Sequence, residues 1–141
     1  MILDNHSLTN LNGVDPDFIR VVKRAYEIHR AKGLTFTVIE GVRTPARQAQ
    51  LYAQGRTAPG KIVTWTMNSR HFVNPRTGFG EAVDILPGTG WNDLKGFDDV
   101  AHSMFQASRE LGIKIRWGAD WDQDGKPREK GETDSPHFEK A

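Results

Sequence analysis

Apolar positions set the first part of the chain in a helical rhythm. Phe18, Val21, Val22, Ala25 and Ile28, with His29, recur at the three- and four-residue spacing that lines one face of a helix. Asp15-Pro16 ahead of them supplies an N-cap and a proline at the first helical position, and Gly33 supplies a stop. The pattern then changes period. Thr35 to Gly41, TFTVIEG, is rich in β-branched residues and predicts a strand. Thr44-Pro45 opens a second helix that runs to about Gln54 and closes at Gly55.

Residues 56 to 81 predict mostly loop, with a short strand near Lys61 to Trp65. Glu81 to Leu86 is a strand ended by Pro87-Gly88, and Asp98 to Leu111 carries Val100, Met104, Ala107 and Leu111 on one face, with Gly112 at the C-terminal cap. Ile113 to Trp117 alternates as a half-buried strand should. A long polar loop or hairpin tip follows, and Pro136 to Lys140 forms the last strand. Short strands and scattered helices without a βαβ rhythm predict an α+β fold around a small antiparallel sheet. At 141 residues, the length fits one domain with its own core.

One polar residue breaks this pattern. Asp84 sits inside the apolar run Ala82-Val83-Asp84-Ile85-Leu86. A buried carboxylate is costly unless paired, so a hydrogen-bond network or a cation is expected beside it. His71, in the loop before, and His137, on the last strand, are the natural partners. Three protein ligands with an open position for water describe a catalytic zinc site, where the bound water is brought toward ionisation at neutral pH. Asp134, three residues before His137, suits a general base and proton donor, and Arg43, just after the first strand, suits stabilisation of charge on a substrate oxygen. The plainer alternative stays open: a histidine on a strand is more often structural than a ligand, and a mid-strand aspartate is more often a hydrogen-bonder.

Composition narrows the chemistry. The chain has no cysteine, which excludes thiol nucleophiles, disulfides and cysteine zinc sites and leaves His, Asp and Glu as metal ligands. With 19 basic against 18 acidic residues, the net charge of +1 gives no footprint for a nucleic-acid partner. No run reaches the length of a membrane span, so no membrane insertion is expected. The N-terminal stretch lacks the basic start and apolar core of a secretory signal.

Other features have two readings. Asp120, Asp122 and Asp124, followed by Gly125, reproduce the opening of a Ca²⁺ loop, but the twelfth position is Gly131, with Glu129 or Glu132 as the only nearby replacements. A solvated hairpin tip is the plainer reading. Trp65, Trp91, Trp117 and Trp121 are candidates to line a substrate groove, with Trp117 and Trp121 flanking the polar loop, although tryptophan is more often core. His6, His29 and His102 have no partner in any motif; His29 and His102 lie on predicted helices and read as structural or surface residues.

Ser69-x-His71, the run Gly80-Glu81-Ala82-Val83-Asp84 and the terminal Asp134-x-x-His137 together resemble the signature of the M15 family of zinc peptidases. The segments GVRTPARQAQLYAQG and LGIKIRWGADWD resemble the endolysin branch of that family, so the likeness runs from roughly Phe36 to the end. The family includes D-Ala-D-Ala carboxypeptidases and dipeptidases of the VanY and VanX type, and L-alanyl-D-glutamate endopeptidases among phage endolysins. The resemblance implies a hedgehog/DD-peptidase-like fold, with His71, Asp84 and His137 as Zn²⁺ ligands, Asp134 as acid/base and Arg43 polarising the substrate. Ser69 and Gln48 would support the site or touch substrate. The family places its Gly-x-Ala-x-Asp element two residues after the histidine; here Phe72 to Phe79 intervene, an insertion of about six residues.

The expected function is therefore a zinc peptidase acting as a monomer on peptidoglycan stem peptides, at the L-alanyl-D-glutamate bond. A D,D-carboxypeptidase or dipeptidase is the alternative within the family, and a non-catalytic wall-binding module the alternative outside it; the retained Asp134 argues against the latter. With no secretory signal, a phage-type lysin made in the host cytoplasm and released to the wall fits. The whole chain is expected to be a single catalytic domain.

Overall fold

The computed structural model describes residues 3–43, 45–60, 70–120, 123, 125–128 and 134–141. Among the described residues a four-stranded antiparallel sheet forms the centre, in the order β1-β2-β4-β3, from β1 (Phe36–Glu40), β2 (Ala82–Pro87), β3 (Ile115–Trp117) and β4 (His137–Lys140). The helices are α1 (Asn5–Asn10), α2 (Pro16–Ala31), α3 (Pro45–Ala53) and α4 (Leu94–Leu111). This is the α+β architecture predicted from the pattern. The expected strand near Lys61 to Trp65 lies outside the described residues.

Period-two alternation divides the sheet into two unlike faces. Phe36, Val38, Val83, Ile85, Ile115, Trp117 and Phe138 face a core completed by Phe18, Val21, Val22 and Ala25 of α2 and by Val100, Met104 and Ala107 of α4. Asp84 lies between Val83 and Ile85 and therefore points to the other face, as do His137 and Glu139 on either side of Phe138. The apolar run around Asp84 belongs to one face and the aspartate to the other. A register shift between Val38 and Glu40 is consistent with a β-bulge; it brings Glu40 opposite Asp84 while Val38 stays opposite Ile85.

Helix α2 begins as expected: the Asp15 carboxylate accepts from the backbone N–H of Asp17 (2.9 Å) and Phe18 (3.2 Å). Helix α4 begins four residues earlier than predicted. Asp93 caps it through the Gly96 N–H at 3.0 Å, and a glycine in the first turn hid that start from propensity reasoning. Helix α1 was not foreseen at all, being too short to show periodicity. Asp4 caps it, and its Ser7 hydroxyl accepts from Val38 N (3.0 Å) while Asn10 Nδ2 donates to Val38 O (2.9 Å). The helix thus satisfies both outward backbone groups of Val38 at the middle of the β1 edge, which opposes further strand pairing there. Among the described residues no helix is long and apolar enough to cross a membrane.

Candidate metal centre

Strand pairing brings the first two candidate ligands together. Asp84 of β2 and His137 of β4 are direct partners in the antiparallel ladder, and Asp84 Oδ1 lies 3.5 Å from His137 Nδ1. His71 arrives from the segment before β2, with its Nε2 at 3.4 Å from the same oxygen. The two imidazole rings stand edge to face, 5.0 Å between centroids. One nitrogen from each histidine and one oxygen of Asp84 all lie within 4.8 Å of one another. Bonds of about 2.1 Å in a tetrahedral site require ligand atoms roughly 3.4 Å apart, which the two measured edges match.

Asp84 Oδ1 is buried and has no hydrogen-bond donor among the described residues, although Asp84 Oδ2 receives Arg43 Nη2 at 3.3 Å. A buried carboxylate oxygen with two imidazole nitrogens at metal-edge distance fits a divalent cation.

The histidines are oriented from behind. His71 Nδ1 lies 2.8 Å from the carbonyl of Gly41, which can only accept, so the ring proton sits on Nδ1 and the Nε2 lone pair faces Asp84. His137 Nε2 lies 2.9 Å from Glu139 Oε1, which by the same reasoning places a proton on Nε2 and aims Nδ1 inward at Asp84. Glu139 is itself buried and held by Arg116 Nη2 at 3.0 Å. Electrostatics reflects the crowding of carboxylates. Burial alone would depress the His137 pKa, but Asp84 and Glu139 push it up to about 9. Burial would likewise raise that of Asp84, yet His137 and His71 hold it well below the usual carboxylate range. The cluster favours positive charge at its centre.

Asp134 stands at the rim, its Oδ2 3.9 Å from His137 Nδ1. Its side chain is 52% exposed; partial desolvation, and the nearby Asp84, push its pKa up against the opposing pull of His137. The backbone around it is tightly built. Asp134 N donates to Gly118 O (3.1 Å) and Gly118 N to His137 O (2.8 Å). A Cβ on Gly118 would meet Asp134 O at 2.3 Å and Asp134 Cβ at 2.8 Å, so only glycine allows this approach.

The profile of the phage L-alanyl-D-glutamate peptidase family matches residues 1–141. This chain belongs to that family. It is 33% identical over 141 residues to the L-alanyl-D-glutamate peptidase of Escherichia phage T5, covering 95% of this chain and 93% of that protein. It is 28% identical over 136 residues to the peptidoglycan L-alanyl-D-glutamate endopeptidase CwlK of Bacillus subtilis, covering 89% and 75%. The crystal structure of the Serratia marcescens L-Ala D-Glu endopeptidase ChiX superposes with a TM-score of 0.71 at 30% identity, over 97% of this chain and 87% of that one. The vancomycin-resistance D,D-dipeptidase VanXYg shares the fold at 17% identity and a TM-score of 0.53, over 99% of this chain and 60% of that one.

The remaining residues singled out in this phage-type peptidase chain divide clearly. Arg43 is buried and engaged on three sides, with Glu40 Oε1 (2.9 Å), Gln48 Oε1 (2.8 Å) and Asp84 Oδ2 (3.3 Å), so it orients a candidate ligand. Gln48, wholly buried, buttresses it. Trp117 does not line a groove: it is buried, stacks on Phe138 and donates its indole N–H to Ser135 O at 2.7 Å. Trp91 is 59% exposed on the β2–α4 connection. Ser69, Trp65, Trp121, Asp122 and Asp124 lie outside the described residues, as do Glu129, Gly131 and Glu132. Of the candidate Ca²⁺ loop, Asp120 Oδ2 accepts from Gly125 N at 3.0 Å.

Glu139 and Glu40 were missed by sequence reasoning. Glu139 could have been found, because a residue two positions from a strand ligand shares its face; the bulge that turns Glu40 leaves no such mark. The insertion forms a small projecting hairpin: Val73 bridges Gly80, and Asn74 N donates to Phe79 O at 2.8 Å. It begins after His71, whose carbonyl accepts from Arg43 N at 2.8 Å, so the backbone of this candidate ligand is tied to the segment after β1.

Proposed function

We propose that this protein is a zinc peptidase that hydrolyses the L-alanyl-D-glutamate bond of peptidoglycan stem peptides, in the manner of a phage endolysin. The observation that carries the reading is the convergence of His71 Nε2, Asp84 Oδ1 and His137 Nδ1, with the Asp134 carboxyl beside them. Two imidazoles and one carboxylate suit Zn²⁺, and the family membership supplies the bond.

Zinc supplies a Lewis acid that polarises an amide carbonyl and lowers the pKa of water. The chain's own groups do the rest. His71, Asp84 and His137 would hold the ion, and Gly41 O and Glu139 would keep both rings presented to it. Asp134, with its raised pKa, takes a proton from the attacking water and passes it to the departing D-glutamyl amine. Arg43 keeps Asp84 in place, and its guanidinium charge would stabilise a developing substrate oxyanion.

The test is product analysis. Purified protein incubated with peptidoglycan should free D-glutamyl amino termini, lose activity on chelation and regain it with zinc. Release of a terminal D-alanine instead would establish the D,D-carboxypeptidase reading. Cleavage that persists unchanged in His137→Ala would overturn the metal chemistry.

A further inference from the structure

The turn that carries Asp134 is tied down by a residue remote from the ligand set. Arg128 Nε donates to Ser135 Oγ at 3.2 Å, one residue from Asp134. Its Nη1 pairs with Asp98 Oδ1 at 2.9 Å and its Nη2 donates to Leu94 O at 3.2 Å, both in the first turns of α4. The guanidinium also lies 5.7 Å from the centroid of the Trp117 ring, and Trp117 holds the Ser135 carbonyl. One planar group thus links a long helix, a core tryptophan and the Asp134 turn.

The backbone at this residue is unusual. Arg128 has φ +64°, and its N–H donates to Ala119 O at 2.7 Å. A non-glycine residue in the left-handed region carries a conformational cost that surrounding contacts must offset. Here the offset comes from the contacts that reach Ser135 and α4. Lysine has one point donor and cannot reproduce the fork.

We propose that Arg128 is a positioning residue that fixes the Ser135 turn to α4 and so holds the Asp134 carboxyl beside His137. The inference rests on the functional reading of Asp134 given above. It differs from a purely structural role because displacing a proton-transfer group slows turnover without weakening substrate binding.

The experiment uses the full-length zinc-loaded protein and the variants Arg128→Lys, Ser135→Ala and their combination. Each single change should lower kcat by about tenfold or more while KM stays within about twofold. The double variant should lose little more than either single one, because both cut the same link. Zinc content should stay at the wild-type level. Hydrogen exchange supplies a readout independent of activity: the Asp134 and His137 amides should exchange faster in each variant, with those of α2 unchanged. Should Arg128→Lys fail to fold, Ser135→Ala leaves the Arg128–Asp98 pair in place and decides alone. Wild-type kcat in a folded variant overturns the proposal, as do fully additive losses. If the wild-type protein itself cleaves nothing, the functional reading has failed, and the exchange rates alone decide whether Arg128 holds the turn.

Discussion

Asp84 and His137 face each other directly across β2 and β4, and their Oδ1 and Nδ1 atoms lie 3.5 Å apart. Two groups thirteen and sixty-six residues from His71 thereby become adjacent to it without any special loop. The sheet provides the rigid base, and His71 is hung above it by the Gly41 carbonyl.

Removing the charge at the centre of this arrangement should remove the ion. Asp84→Asn keeps the side-chain shape but loses the anion, and zinc affinity should fall by more than about a hundredfold, beyond the loss typical of supporting residues. Metal analysis after dialysis would show a chain depleted of zinc, with cleavage at background. Full zinc retention would mean that Asp84 is a structural hydrogen-bonder.

Glu139 should matter almost as much, although it touches no metal. Glu139→Gln weakens the acceptor that orients His137 Nε2, and zinc affinity should drop roughly ten- to a hundredfold with the fold intact. Competition against a chromophoric chelator measures this. An unchanged constant would show that the strand alone orients the ring.

Gly118→Ala introduces a Cβ where the Asp134 carbonyl lies 2.3 Å away. The Asp134 turn must move, costing about 1–3 kcal/mol of stability. Turnover should fall further than stability predicts, because Asp134 moves with it. Denaturant unfolding and kcat measured on the same preparation separate the two effects; a variant as active and as stable as wild type would show that the turn yields freely.

The protein should lose stability in mild acid through His29. This imidazole is buried between α2 and α4, with Nδ1 2.9 Å from Ser103 Oγ; burial first, and then Lys32, depress its pKa from 6.5 to about 4. The unfolded chain therefore takes up the proton near pH 6.5 while the native one resists until about 4. The contribution is present above pH 6.5 and is lost as pH falls toward 4, amounting to about 3 kcal/mol at about 1.4 kcal/mol per pH unit. Unfolding free energies of the chelated wild type and His29→Gln should converge between pH 7 and pH 4.5. Parallel pH profiles would refute the assignment.

Much of this was legible in one dimension. The α2 face, the four strands and the two caps at Asp15 and Gly112 follow from period and turn chemistry, which act over a few residues. Where a signal was short or contradicted locally, it misled: α1 is too brief to repeat, and Gly96 concealed the true start of α4. The candidate ligands stood out because Asp84 violates its apolar surroundings. Nothing local marked Arg128, since its partners Ser135, Asp98 and Leu94 meet only in the folded chain.

The amino-acid order by itself determined which side chains are available for chemistry and which strand faces they occupy, because alternation is a property of the backbone. Tertiary structure alone decided distances: the register that sets Asp84 against His137, the bulge that brings Glu40 opposite Asp84, and the hydrogen bonds that aim each imidazole. Those depend on contacts between segments dozens of residues apart, where burial and pairing energies are settled jointly and no short window of sequence carries the answer.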